Sequence, residues 1–218
     1  MQLIIKFLLI LSLLGVGIVV ALRYPISPEE QEEAEKTTPK ELTCDADAIT
    51  QEDYENLTLS GEFLEKQATQ FETQKKYSLA IHKYNEAIAA YFKASKLPRE
   101  SKTFEDIVEL KQTHPKIMEK SARLLVQLGR TYTKIHKYEN AADCFSIAIR
   151  FRIDKPNDAI AYLNRGDAYQ RLGDRVKALE DFTTASDLFK EYKLPSYQKI
   201  ADDRIKSLSS PTPTKSNH

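Results

Sequence analysis

The sequence predicts an all-α protein built from helical hairpins that stack on one another. The main observation lies in residues 161–188, where small and apolar residues recur three and four positions apart on both sides of Gly173-Asp174. They are Tyr162, Gly166 and Tyr169 before the break, and Ala178, Phe182 and Ala185 after it. Composition agrees, because the chain has no Trp and its 9 prolines fall outside the predicted hairpins.

Gly166 lies in the middle of a predicted helix, where glycine costs about 1 kcal/mol relative to alanine. Such a residue needs a structural reason, and the usual reason is the close approach of another part of the chain. We expect a second helix backbone to pass close to Gly166. The small side chains of Ala178 and Ala185 predict close packing in the same way.

The same pattern occurs twice more, which indicates an internal repeat. A copy 37 residues upstream consists of Leu125, Leu128, Gly129, Tyr132, Ala141, Phe145 and Ala148. A weaker copy 61 residues before that consists of Leu64, Ala68, Phe71, Ala80, Tyr84 and Ala87. The predicted hairpins cover about 61–96, 122–155 and 159–193.

These residues resemble the tetratricopeptide repeat family, whose period is about 34 residues. Arg165 departs from the pattern, since the family prefers Leu there. The resemblance implies a right-handed α-solenoid of three hairpins, and a non-enzymatic protein that binds peptide or protein segments in a concave groove. It also implies which residues point into that groove.

The implied groove residues lie between the packing positions of each first helix. From the first repeat they are Glu62, Glu65, Thr69, Glu72 and Thr73; from the second Arg123, Val126, Arg130, Thr133 and Lys134; from the third Ile160, Leu163, Asp167, Gln170 and Arg171. Their charge runs from acidic to basic to mixed, which favours a partner whose acidic part lies against the second repeat. The alternative is that these are only solvated helix faces.

The repeat domain is predicted over 50–208. Its first helix is extended, beginning at a capping sequence from Thr50 to Asp53 and ending near Thr73. An insert at about 97–121 should be a helical segment docked on the repeats, either a tolerated insertion or a further binding element. A last amphipathic helix at 196–208 closes the solenoid, and the Ser-, Pro- and Thr-rich tail 209–218 should be disordered.

Residues 1–22 are mostly apolar and have Lys6 as their single charged side chain, and they predict either an uncleaved transmembrane anchor or a signal peptide cleaved near Ala21. Residues 23–49 should be an acidic flexible linker. Lys6 precedes the apolar run and Arg23 follows it, which favours a cytoplasmic amino terminus and repeats on the extracytoplasmic side. Cleavage would instead leave a soluble secreted, periplasmic or lumenal protein.

No residue pattern predicts catalysis, a cofactor or a metal site. His82 and Glu86 share a helix face without a second nearby histidine, and Cys44 and Cys144 have no CxxC spacing. Nucleic-acid binding is disfavoured because the net charge of +7 over residues 57–218 is dispersed and the helical tyrosines are mostly assigned to repeat packing. Protein binding is therefore the leading function, with a constitutive structural subunit of a membrane complex, using its convex face and insert, as the alternative.

Overall fold

The computed structural model describes residues 51–95, 114–151 and 155–209, and these ranges contain seven α-helices and no strand. The helices are α1 (Gln51–Thr73), α2 (Tyr77–Ala94), α3 (Pro115–Lys134), α4 (Tyr138–Phe151), α5 (Lys155–Leu172), α6 (Arg175–Glu191) and α7 (Pro195–Ser209). The all-α prediction is confirmed for this part of the chain.

The helices pack in chain order as three hairpins. Helices α1 and α2, α3 and α4, and α5 and α6 form the hairpins, while α2 packs on α3 and α4 packs on α5. Helix α7 packs on α6 and buries Ala201 and Leu208. This order is consistent with the predicted helical solenoid.

Four helix ends share one turn structure. The residues Lys75, His136, Gly173 and Lys193 have positive φ angles, of 61°, 59°, 84° and 56°. In each turn the next amide donates to a carbonyl five residues earlier, as Lys76 does to Phe71 at 2.9 Å and Leu194 does to Phe189 at 2.8 Å. These are Schellman motifs, in which the left-handed residue lets the last turn of the helix satisfy its own carbonyls.

The buried residues form two clusters that meet at α5. The larger cluster is made by α1 to α4 and includes Ala161 and Ala168 of α5. The smaller one joins α5, α6 and α7, with Phe182 and Phe189 as its largest fully buried side chains. Helix α5 therefore contributes to both cores.

Glycines in the first helix of each hairpin lie against an aromatic ring of the second helix. A Cβ at Gly166 would lie 2.7 Å from Cε1 of Phe182, and one at Gly129 would lie 2.6 Å from Cε1 of Phe145. Gly166 is thus closely approached, but by a ring rather than by the helix backbone that we expected. A flat ring can rest on bare backbone, so the two helices do not have to touch directly.

The first hairpin carries an additional contact of this kind. Ala68 and Tyr84 are 16 residues apart, as are the Gly–Phe pairs of the other hairpins. Gly61 and Tyr91 lie two helical turns beyond them, and a Cβ at Gly61 would be 2.7 Å from Cε1 of Tyr91. The extra length of α1 and α2 provides room for this second layer.

Some predicted boundaries are changed by the structure, and others lie outside it. Helix α3 begins at Pro115, a residue that favours the first turn of a helix, so the predicted insert overlaps the helix over 115–121, where Ile117 and Met118 are buried. Helix α5 begins at Lys155, four residues before the predicted third repeat.

Several predicted segments fall outside the described residues: 1–22, 23–49, the insert up to residue 113, and the tail after 209. None of the helices in the described ranges combines the length and the apolar composition needed to cross a bilayer.

Candidate functional site

Helix α3 has one exposed side, and that side is predominantly basic. The other sides of the helix pack against α2, α4 and α5. That side carries the exposed Glu119 and five cations, of which Lys120 is half-buried and the other four are exposed; we call the cations the basic stripe: Lys116, Lys120, Arg123, Arg130 and Lys134. Three of them, Arg123, Arg130 and Lys134, are predicted groove residues. We call the exposed sides of the three first helices, α1, α3 and α5, the groove face.

Two ion pairs connect α1 to α3 across the groove face. Lys134 Nζ lies 2.6 Å from Glu72 Oε1, and Lys120 Nζ pairs with Glu62 Oε1. Both partners advance together along their helices, so α1 and α3 run parallel. The hydrogen bond and charge of Lys120 hold the pKa of Glu62 below its ordinary value. The predicted acidic and basic parts of the groove are therefore neighbours that partly neutralise each other.

The Glu72 carboxylate has a structural role and is not available to a ligand. Besides Lys134, it accepts a hydrogen bond from the Tyr84 hydroxyl at 3.0 Å and one from the Thr131 hydroxyl at 3.2 Å. Both carboxylate oxygens are used, and only 15% of the side chain is exposed. Glu72 therefore helps to hold the first two hairpins together.

The third repeat contributes less free charge than the sequence suggests. Asp167 on α5 accepts a hydrogen bond from Arg204 Nε of α7 at 2.8 Å, so the closing helix occupies it. Arg171 is exposed at the end of α5, and Gln170 beside it is half-buried. Asp167 is thus paired with α7, while Arg171 remains exposed on α5.

Val126 and Leu163, predicted as groove residues, belong to the buried cores. Their exposed fractions are 7% and 8%. Val126 packs in the cluster of the first two hairpins, and Leu163 packs in the cluster of α5 to α7. Neighbouring helices cover these positions of α3 and α5, so the prediction that Val126 and Leu163 face the groove is wrong.

The open charges on the groove face are concentrated on α3. Arg123 and Arg130 are exposed, and neither forms an ion pair with another residue of the described ranges. Glu65 on α1 is half-buried, with its backbone carbonyl accepting from the Thr69 hydroxyl at 3.0 Å. The face thus has an unpaired basic centre, bordered by the ion pairs of Glu62, Glu72 and Asp167.

Two residues of this region were not found from the sequence. Lys120 lies three residues before Arg123, the first predicted groove residue of its repeat, and its ammonium also lies 5.5 Å from the Tyr91 ring centroid. Tyr91 itself is on α2, a second helix, where the family pattern indicates no groove residue. The sequence signal for the contact is Gly61, since a glycine within a helix indicates that another group packs closely against it.

Arg165, the departure from the family pattern, forms a polar connection between three helices. It donates to Asp181 of α6 at 2.8 and 2.7 Å and to Ser146 of α4 at 3.0 Å. Its guanidinium lies 5.3 Å from the Tyr162 ring centroid and 5.8 Å from that of Tyr169. Burial lowers the pKa of Arg165, but the Asp181 hydrogen bonds and charge outweigh it and raise the pKa overall. Arg165 therefore has a structural role, because it joins α5 to α4 and α6.

The described residues contain no group of three or more His, Cys, Asp or Glu side chains that could hold a metal ion. His82 Nε2 contacts Glu86 Oε1 at 3.3 Å, and the same carboxylate binds the buried Lys83 at 2.9 Å. Cys144 is a free, buried thiol, and burial raises its pKa well above the ordinary value. A thiol in this state is a poor nucleophile at neutral pH.

Residues 120–191 match a family model for the tetratricopeptide repeat. The match covers most of α3 and continues through α4 and α5 to the end of α6, which are the second and third predicted repeats. It supports a tetratricopeptide-repeat protein, and repeats of this family generally mediate protein–protein interactions. The chain matches no curated protein.

Proposed function

We propose that this tetratricopeptide-repeat chain is a non-enzymatic adaptor that binds an acidic segment of a partner protein on its groove face. The family match over residues 120–191 supports a protein-binding role. The observation that carries the proposal is the exposed pair Arg123 and Arg130, which have no ion-pair partner in the described ranges. The ion pairs around them hold the helices in place and leave these two guanidinium groups open.

The spacing of the two arginines predicts the spacing of the acidic residues that they bind. Arg123 and Arg130 are seven residues apart on one helix, which is about 10 Å along its axis. A peptide in the polyproline II conformation covers that distance in about three residues, and its side chains return to the same face every three residues. Arginine can bind a carboxylate through two parallel hydrogen bonds. We expect an extended partner segment with two carboxylates three residues apart.

The test is binding of acetylated and amidated nine-residue peptides, measured by fluorescence anisotropy. The full chain is kept in mild detergent because its first 22 residues are apolar. Peptides with glutamate at positions 3 and 6 should bind more tightly than those with glutamate at positions 3 and 5 or with glutamine at both. The double variant Arg123→Glu/Arg130→Glu should lower affinity at least tenfold.

A matched charge reversal away from the groove face is the control. Lys190 and Lys199 are exposed residues of α6 and α7, so Lys190→Glu/Lys199→Glu changes the net charge equally. This variant should keep its affinity at 150 mM salt. Equal losses in both double variants would mean that binding follows overall charge, and the proposed site would then be rejected.

Membrane attachment is a second part of the proposal, and it depends on residues 1–22. We propose that this apolar segment anchors the chain with the repeats on the extracytoplasmic side, because Lys6 precedes it. Protease added to sealed, right-side-out vesicles should then digest the repeats without detergent. Amino-terminal sequencing separates an anchor from a cleaved signal, since cleavage near Ala21 leaves a chain beginning at Leu22.

One observation favours the alternative of a constitutive structural subunit. Val176 and Leu179 on α6 have exposed fractions of 68% and 38%, and they lie on a second helix rather than on the groove face. Exposed apolar residues mark a protein contact where they form part of a contiguous patch. A native complex that survives Arg123→Glu/Arg130→Glu but is lost in Val176→Asp/Leu179→Asp would favour this alternative.

A further inference from the structure

Helix α1 carries two large apolar side chains, Leu59 and Phe63, that are exposed. Their exposed fractions are 62% and 48%, and a spacing of four residues places them on one side of the helix. The opposite side of α1, with Leu57, Leu64 and Phe71, belongs to the larger core and packs on α2. Within the described ranges, neither Leu59 nor Phe63 packs against a buried cluster. The pair is therefore open to a contact from outside the repeats.

The neighbouring side of α1 does not have the composition that another hairpin would need. In the second hairpin the equivalent side of α3 is apolar and 1% to 3% exposed, at Ile117, Leu124 and Leu128. The residues 61 positions earlier on α1 are Asn56, Phe63 and Gln67. A further hairpin would have to bury the two amides, which costs free energy unless they find partners. The surface instead favours a contact centred on Leu59 and Phe63 that leaves this polar side in water.

Charged residues lie on both sides of the apolar pair along α1. Glu52 and Glu55 precede it, Lys66 follows it, and all three side chains are exposed. The spacings from Glu52 to Lys66 are three, four, four and three residues, so these five residues form one line on the helix surface. We call this line the α1 stripe. It is acidic toward its amino end, apolar in the middle and basic toward its carboxyl end.

The α1 stripe is complementary to itself when a second α1 lies antiparallel to the first. A twofold axis beside Gly61 brings Leu59 of one copy to Phe63 of the other, because each lies two residues, about 3 Å, from the axis. The same axis brings Glu55 to Lys66, which lie about 9 Å and about 8 Å from it. Each contact then occurs twice, as in any symmetrical dimer. A parallel arrangement would place like charges together.

We propose that the α1 stripe is a dimer interface, on which a second copy of this chain packs its own α1 in the antiparallel direction. Two apolar contacts and two ion pairs make a small interface, so the dimer should be weak. This inference goes beyond the proposed peptide binding. Arg123 and Arg130 lie on α3 and take no part in the interface, so either proposal can fail without the other.

The test is energy transfer between donor-labelled and acceptor-labelled full-length chains in excess mild detergent. Transfer by the wild type should rise between about 1 and 100 µM, the range expected of a small interface. Leu59→Asp/Phe63→Asp should weaken association about tenfold or more, because it places carboxylates in the apolar centre. Val176→Asp/Leu179→Asp changes an exposed apolar pair of α6 in the same way and should associate like the wild type.

Charge reversal tests the antiparallel arrangement itself. Glu55→Lys and Lys66→Glu should each associate with themselves about fivefold more weakly than the wild type, because each brings like charges together at both ends of the interface. A mixture of donor-labelled Glu55→Lys and acceptor-labelled Lys66→Glu should regain the transfer of the wild type. In that mixed dimer, every charge again faces its opposite.

Each failure has a distinct meaning. No transfer by the wild type up to about 100 µM would refute the dimer. Undiminished transfer by Leu59→Asp/Phe63→Asp would assign the association to another part of the chain, and the α1 stripe would be rejected. A mixture that associates no better than its two components would exclude antiparallel packing and overturn the proposal.

The fold of the apolar variant is checked by circular dichroism on dilute samples. Leu59 and Phe63 are exposed, so Leu59→Asp/Phe63→Asp should keep the melting temperature of the wild type within about 2 °C. If it melts at a lower temperature, the mixture of the two charge variants decides the question alone.

Discussion

Arg165 holds Asp181 through two hydrogen bonds at the place where the second hairpin has Leu128 and Cys144. The Nε and NH2 groups of Arg165 donate at 2.8 and 2.7 Å, and Asp181 is almost fully buried. Positions 128 and 165, and likewise 144 and 181, are separated by the 37-residue interval between the second and third repeats. The same two positions therefore hold an apolar pair in one repeat and an ion pair in the next.

This relationship predicts that the ion pair can be replaced only as a pair. Arg165→Leu should destabilise the fold by about 3 kcal/mol, because it leaves the Asp181 carboxylate buried without its cation. The double variant Arg165→Leu/Asp181→Cys should recover most of that loss, since it recreates the apolar pair of the second hairpin. Urea unfolding followed by circular dichroism measures both. A double variant as unstable as the single one would contradict the equivalence of the two sites.

The contact between glycine and aromatic ring predicts a steric effect in the second hairpin. Gly129→Ala should destabilise by about 1–3 kcal/mol despite the better helix propensity of alanine, because its Cβ would lie 2.6 Å from Phe145 Cε1. Phe145→Leu should itself be destabilising, but in its presence Gly129→Ala should cost much less. Thermal melts of the wild type, the two single variants and the double variant give the coupling free energy between the two substitutions. Independent effects of the two substitutions would mean that the ring can move away freely.

The Schellman turns predict a simple stabilising change. Lys75 has a φ angle of 61°, which costs a non-glycine residue about 1 kcal/mol. Lys75→Gly should therefore raise the free energy of unfolding by a few tenths to about 1 kcal/mol, since glycine adopts this conformation without strain. Lys76, at φ −83°, is the matched control, and Lys76→Gly should be neutral or destabilising. In differential scanning calorimetry, the melting temperature of Lys75→Gly should lie above that of the wild type, and that of Lys76→Gly should lie at or below it.

The Glu86 carboxylate predicts a pH-dependent contribution to stability. Burial raises its pKa, but His82 and Lys83 outweigh burial and hold it below the ordinary value of 4.5. A group whose pKa is lower in the folded state stabilises the fold above its unfolded pKa and stops doing so as the pH falls through the folded pKa. Glu86→Gln should cost about 1 kcal/mol at pH 7 and progressively less below about pH 4.5.

Urea unfolding of Glu86→Gln and wild type at pH 7 and pH 3.5 tests this. Glu180→Gln, which changes an exposed carboxylate of α6, is the control and should show little effect at either pH. An equal gap between Glu86→Gln and wild type at both pH values would exclude the titration of Glu86 as its cause.

The hairpins were predictable because their signal is local. Spacings of three and four residues identified the packing sides of the helices, and Gly173-Asp174 was correctly placed between α5 and α6. The extended first helix was predicted to end near Thr73, where α1 ends. Each of these features depends on neighbours within one or two helical turns.

The groove face was less predictable because it depends on how separate helices meet. The pairs Glu62–Lys120 and Glu72–Lys134 join residues 58 and 62 positions apart, and only the packing of the hairpins sets that register. The burial of Val126 depends on the helices that flank α3. Lys120 lies over the ring of Tyr91, which belongs to a second helix, and a pattern restricted to first helices cannot indicate that contact.

Helix α5 contributes one side to the core of the first two hairpins and another to the core of the last three helices. Ala161 and Ala168 belong to the former, and Ala159 and Leu163 to the latter. Folded α5 therefore couples the two cores, and this coupling lets them unfold in one cooperative transition. Loss of this single helix would expose both cores at once, so α5 determines whether the two ends of the described chain share one unfolding transition.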